Sequence, residues 1–218
     1  MSTRGVIFTA DEVRATLDGR KTQFRRLLTV PNGRRRKRTV PREPYYCEDR
    51  STGELIAFDD FGDDWPIEKF MRCPFGNVGD RIWCKETWAV VSNDPCCGCD
   101  VKPCAHEHVE YRADTGNKYP GNWPDDAKDD PECGRWRSSI QMPQSASRLT
   151  LEVTGVRVQR VTDITEEDAK AEGHKRVSGY HTASTAFRFA WDTRNPKHPW
   201  DSKPWAWVVE FKVAGSDL

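Results

Sequence analysis

The chain has 218 residues, with 34 Lys and Arg against 34 Asp and Glu, so its formal net charge is zero. That balance excludes an argument for nucleic-acid binding from total charge and leaves only local basic runs to carry one. No apolar run approaches a membrane span and the start of the sequence lacks a signal-peptide core, so the expectation is a cytoplasmic protein with no membrane partner. The length fits one domain over 1–218, and 14 prolines with 15 glycines predict many loops. Eight cysteines in a reducing compartment point to metal ligands or buried thiols rather than disulfides.

Val6, Ile7 and Phe8 predict a short strand. Thr9 and Glu12 stand at capping-box spacing, Val13 and Leu17 lie one helical turn apart, and Gly19 supplies a stop. The octet Gly19-Arg20-Lys21-Thr22-Gln23-Phe24-Arg25-Arg26 follows and enters a strand-like run through Leu28. Alternate side chains of a strand share a face, so Lys21, Gln23 and Arg25 point one way and Thr22, Phe24 and Arg26 the other. Such a cationic face suits an anionic, planar ligand; it equally suits a solvated basic edge strand.

Residues 31–72 read as an insertion, basic and then acidic. Arg34-Arg35-Arg36-Lys37-Arg38 is a block of five cations, and Asp59, Asp60, Asp63 and Asp64 follow. Between them, Tyr45-Tyr46-Cys47 and Leu55-Ile56-Ala57-Phe58 have the composition of a hairpin around Ser51-Thr52-Gly53. After the turn Asn77-Val78-Gly79-Asp80 comes a strand-like run from Arg81 to Val91, in which Ile82, Cys84, Glu86 and Trp88 share a face. A glutamate on that more apolar face implies a buried carboxylate with a partner and a perturbed pKa.

Residues 92–135 form a second insertion, rich in Cys, Asp and Pro. Its run from Cys96 to His108 holds four thiols and two imidazoles. Cys97, Cys99, Cys104 and His106 are the expected ligands of one structural zinc, with Cys133 as the alternate, because Gly98 and Pro103 supply the tight turns that tetrahedral closure needs. Downstream, Leu149, Leu151 and Val153 alternate with polar residues, and the alternation resumes after Gly155 with Val156 and Val158. This predicts a strand pair or one strand bulged at Gly155. Thr165 caps a short helix whose first turn is acidic and which Gly173 ends; Thr185 to Asp192 reads as another helix; Trp205 to Val213 reads as a last strand.

Gly19-x-Lys21-x-x-Phe24-x-Arg26 resembles the GxKxxExR signature of the ASCH domain superfamily, which has a PUA-like fold. The wider likeness is to ASCH-like proteins of phages and prophages. It rests also on Cys73-Pro74-Phe75-Gly76, Gly79-Asp80-Arg81-Ile82-Trp83, Glu86-Thr87-Trp88, Ser139-Ile140-Gln141-Met142-Pro143, Ser147 to Val153, and Asp163 to Ala169. The resemblance implies an α+β fold: a small, mixed PUA-like β-barrel flanked by short helices, with the two insertions as loops. It implies a ligand that is RNA, single-stranded DNA or a modified nucleoside. Some small ASCH proteins are amidohydrolases that remove acyl groups from the exocyclic amine of cytidine with a lysine, a threonine and a glutamate; others are reported as ribonucleases. Carried onto this chain, the lysine is Lys21 and the glutamate Glu172, with Glu86 as a second candidate carboxylate. The threonine falls on Phe24, which can neither attack a carbonyl nor relay a proton, and the signature's own glutamate is missing at that position too. As a binder, the chain would set Lys21, Arg25, Arg26, Lys85 and Arg148 against phosphates and stack Trp88, Trp136 or Phe24 on a base. A purely structural or protein-interaction role is the third expectation.

Overall fold

The structure, a computed structural model, describes residues 4–28, 46–48, 55–58, 64–66, 73–92, 107–116, 135–175 and 182–214. In chain order the elements are β1 (Arg4–Ile7), α1 (Ala10–Leu17), β2 (Gln23–Leu27), β3 (Tyr46–Glu48), β4 (Leu55–Phe58), β5 (Asp64–Pro66), β6 (Arg81–Lys85), β7 (Trp88–Ser92), β8 (Glu107–Tyr111), α2 (Arg112–Thr115), β9 (Thr150–Arg160), α3 (Glu166–Ala171), α4 (Ala183–Arg194) and β10 (Trp205–Val213). The fold is mixed α+β. Its main sheet has the strand order β1-β6-β9-β10-β2, and β3-β4-β5 and β7-β8 form two smaller sheets. Among the described residues the main sheet ends on β1 and β2 and does not close into a barrel. No helix among them is long and apolar enough to cross a membrane.

The chain divides into two compact units, one of Met1–Arg20, Arg81–Leu151 and Val213–Leu218, the other of Lys21–Asp80 and Glu152–Lys212. In the first, β1 pairs in parallel with β6, Val6 opposite Cys84. Thr9 and Glu12 form the expected reciprocal capping box of α1. Gly19 then takes a φ of 70°, a left-handed conformation in which its amide reaches Thr16 and the chain can turn. The run from Arg81 to Val91, expected as one strand, breaks at Glu86 and Thr87 into β6 and β7, and β7 folds back as an antiparallel hairpin with β8. Trp83, Trp88, Met142 and Ala146 pack together under Val90, Val109 and Tyr111.

In the second unit β2 pairs antiparallel with β10, Phe24 opposite Val209. The two strands of the expected hairpin pair: β3 runs antiparallel to β4, Cys47 opposite Ile56, and β5 adds a third strand, while Tyr45 and the turn Ser51-Thr52-Gly53 lie outside the described residues. β9 is one strand, continuous through Gly155, and a Cβ on that glycine would meet the Glu210 carboxylate at 2.7 Å. A larger residue at 155 would have to displace the Glu210 side chain. Helix α4 starts earlier than expected, with Thr182 accepting from the Thr185 amide as its cap. Its Ala183, Phe187 and Trp191 join Val161, Ile164, Ala169 and Ala206 in the core, while Ala190 is half-buried.

Candidate functional site

The alternation read in the octet holds. Lys21, Gln23 and Arg25 are all buried, and all belong to one polar network with carboxylates of α3 and its C-cap. The local cause is the capping of α3. Asp168 stands three residues past the cap Thr165 and completes a reciprocal box with it. Glu172 caps the other end, where its backbone faces Lys21 as an isolated antiparallel bridge and Thr22 donates to the Ala171 carbonyl.

Lys21 Nζ donates to the Glu172 carbonyl at 2.9 Å and to its Oε2 at 3.3 Å. Arg25 Nη1 donates to Glu172 Oε1 at 3.1 Å, and Arg25 Nη2 donates to Asp168 Oδ2 at 2.9 Å and to Gln159 Oε1 at 3.1 Å. Asp168 Oδ1 accepts from Gln23 at 3.3 Å and from Arg157 at 3.2 Å, and Arg157 also donates to Glu210. Opposite charges thus alternate in the order Lys21, Glu172, Arg25, Asp168, Arg157, Glu210. The side chains of Lys21, Glu172 and Arg25 are at most 3% exposed, and exposure then rises from 19% at Asp168 to 45% at Glu210. Burial pushes the Asp168 carboxyl up, but the charge and hydrogen bond of Arg25, with help from Gln23 and the Thr165 amide, outweigh it and hold Asp168 below the ordinary aspartate value.

The other face of the octet carries Thr22, Phe24 and Arg26. Phe24 is fully buried, edge-on to Phe75 at 5.2 Å and tilted against Phe211 at 5.9 Å. Arg26 lies with its guanidinium 5.2 Å from the Phe24 ring and donates to the Arg25 carbonyl. Thr22, one pleat away, is exposed.

In the first unit the buried Glu86 has the partner its sequence position implied. Arg148 clamps it with Nε on Oε1 at 2.9 Å and Nη2 on Oε2 at 3.0 Å, while Nη1 reaches Asp114 at 2.6 Å. The same guanidinium lies 4.1 Å from the Tyr111 ring, and the Glu86 amide donates to Met142 Sδ. Burial pushes the Glu86 carboxyl above its ordinary value; Arg148 pulls it back without cancelling that, and Asp114 adds to the rise. Burial likewise raises the Tyr111 phenol. Lys85 lies 4.9 Å from the Trp83 ring and donates to the Ile140 carbonyl. Trp88 is buried, with the Arg137 guanidinium 5.0 Å from its ring, and Trp136 is half-buried.

The structure therefore brings Lys21, Arg25 and Glu172 together in the second unit, and Glu86 with Arg148 in the first. The cations of Arg25 and Arg148, expected on phosphates, are held by carboxylates, and the Trp88 ring, expected to stack on a base, is buried against Arg137. Sequence reasoning missed Asp168, Arg157 and Gln159. The signal was present but read otherwise: Asp168 as a first-turn acid, Arg157 and Gln159 as polar positions of an alternating strand. The five-cation block, Cys97, Cys99, Cys104, His106 and Cys133 lie outside the described residues; among the described residues no group of His, Cys, Asp and Glu is placed to hold a metal. No family model, curated protein or solved structure matches the chain.

Proposed function

We propose that the chain is an ASCH-like binding module of a phage or prophage, whose ligand is a modified nucleoside or a short stretch of RNA or single-stranded DNA taken at Lys21 and Glu172. The observation that carries this reading is the buried pairing of the Lys21 ammonium with the Glu172 carboxylate at 3.3 Å. Burying the three ionised groups Lys21, Arg25 and Glu172 in one small unit is poor economy for stability, since removing ions from water costs several kcal/mol each and apolar replacements often do as well. Such clusters are therefore functional-site candidates. A donor and an acceptor side by side also complement the polar edge of a nucleobase, whose amino and carbonyl groups stand next to each other. Because both side chains are buried, engaging a ligand requires an opening step, and slow association is the expected kinetic signature.

The same reading takes the mixed sheet and its helices as a PUA-like barrel carrying the insertions 31–72 and 92–135, the second closed on zinc. Binding rather than hydrolysis is favoured by Phe24, which puts a ring packed between Phe75 and Phe211 where the resemblance has a threonine. Hydrolysis of an acylated cytidine or of RNA is the second reading. The Lys21–Glu172 contact favours it, with water as the nucleophile, Lys21 taking a proton from that water and Glu172 delivering one to the leaving group. One experiment separates them. Purified protein and Lys21→Ala are titrated with N4-acetylcytidine and a mixed short RNA pool across a salt series, and the same samples are analysed for products by mass spectrometry. Binding lost in the variant without products is the expected result. Products lost in the variant would make it a hydrolase, and no binding by the wild type at any salt concentration would refute the proposal.

A further inference from the structure

We infer that Arg25 and Asp168 are the positioning residues of this site: they hold the Glu172 carboxylate in the one orientation that presents Oε2 to the Lys21 ammonium. The inference rests on the site assigned to Lys21 and Glu172 above, and adds to it a positioning role for Arg25 and Asp168. Its basis is the division of oxygen atoms. Glu172 gives Oε1 to Arg25 and Oε2 to Lys21, so rotation of the carboxylate breaks both contacts at once. Arg25 in turn is fixed at both terminal nitrogens, Nη1 by Glu172 and Nη2 by Asp168 and Gln159, and its side chain has no exposed surface.

Asp168 is the point at which this order is tied to the backbone. Its Oδ2 accepts both from Arg25 and, at 3.4 Å, from the amide of Thr165, the cap of α3. The direction of the guanidinium is therefore set by a helix start whose geometry the Thr165–Asp168 spacing dictates. A lysine at position 25 would keep the charge but lose the planar fork that serves two carboxylates together. Phe187 lies against the guanidinium at 5.8 Å, which limits where a shorter or more flexible side chain could place its charge.

The test reads Lys21 directly, so that it does not depend on a ligand. In the full chain, the 15Nζ–13Cε correlation of the Lys21 ammonium is assigned by its loss in Lys21→Arg and followed in Arg25→Met, Arg25→Lys and Asp168→Asn. The expected result is a shifted or exchange-broadened Lys21 signal in Arg25→Met, a smaller change of the same kind in Asp168→Asn, and partial recovery in Arg25→Lys. An unmoved Lys21 signal in both Arg25→Met and Asp168→Asn would overturn the inference and leave Arg25 as packing. Should Arg25→Met fail to fold, Asp168→Asn decides, since its side chain is 19% exposed and its amide keeps one acceptor. For N4-acetylcytidine as probe, affinity should fall about tenfold in Arg25→Met, the equivalent of one lost charge-assisted hydrogen bond. A wild type that binds neither this probe nor RNA refutes the proposed ligand, while the Lys21 signal still decides the positioning role.

Discussion

Replacing Arg148 with methionine should destabilise the first unit by about 3–5 kcal/mol at neutral pH, because it leaves the buried Glu86 charge without its partner. The geometry supports the size of the effect. Arg148 makes two hydrogen bonds to Glu86, at 2.9 and 3.0 Å, and bonds to an ionised group contribute about 1.5–3 kcal/mol each. Its third bond, to the half-exposed Asp114, contributes no more than about 1 kcal/mol. The pH dependence gives a sharper check than the size. Without Arg148, the Glu86 carboxyl should titrate still further above its ordinary value of 4.5. Between the folded values of the wild type and the variant, the variant alone binds the proton, so its stability falls with rising pH by about 1.4 kcal/mol per pH unit while that of the wild type does not. Urea denaturation at pH 5 and pH 7 measures both quantities. A cost independent of pH, with no recovery in the double variant Glu86→Leu/Arg148→Met, would refute the reasoning and reduce Arg148 to a packing residue on Tyr111.

Phe24→Ala should cost about 3–5 kcal/mol by thermal or urea unfolding, since it empties a fully buried site between Phe75 and Phe211. Asp168 titrates below its ordinary value of 3.8, so its contribution is present above that pH and lost as the pH falls through the folded value; Asp168→Asn should flatten this acid limb of the stability curve. Thr165→Ala should cost about 1 kcal/mol through the lost cap of α3, and more if Asp168 loosens with it. Native mass spectrometry is expected to find one zinc ion per chain, absent after Cys104→Ser; apoprotein from a gentle purification would remove zinc from the account.

Local signals carried most of the secondary structure. Thr9 with Glu12, Thr165 with its acids, and the alternation of β9 and β10 each declare an element within a few residues, because caps and pleats are local physics. The break at Glu86 was not legible. Nothing in the run from Arg81 to Val91 is a turn residue, and the chain leaves β6 there while the Glu86 carboxylate is held by an arginine 62 residues away. The shared face of Lys21, Gln23 and Arg25 was legible for the same reason as the pleat. Its burial was not, because the acids that make burial tolerable sit 143 or more residues further along the chain. A row of cations with no visible partner reads as a surface awaiting phosphate; the same row with Asp168 and Glu172 against it is an interior.

The Lys21–Glu172 contact spans 151 residues of sequence, whereas Glu166 reaches the amide of Ala183 across only 17. Closing the longer loop costs about 2 kcal/mol more in chain entropy than closing the shorter one. Synthesis adds a delay of its own. At about 5–20 residues per second, a ribosome adds Glu172 roughly 8–30 s after Lys21. For that interval Lys21 and Arg25 have left the peptidyl-transferase centre with neither of their two carboxylate partners yet made. The interior of the finished unit therefore begins as a cationic stretch of the nascent chain without its acids, and it becomes an interior only when α3 forms and its two acids reach β2.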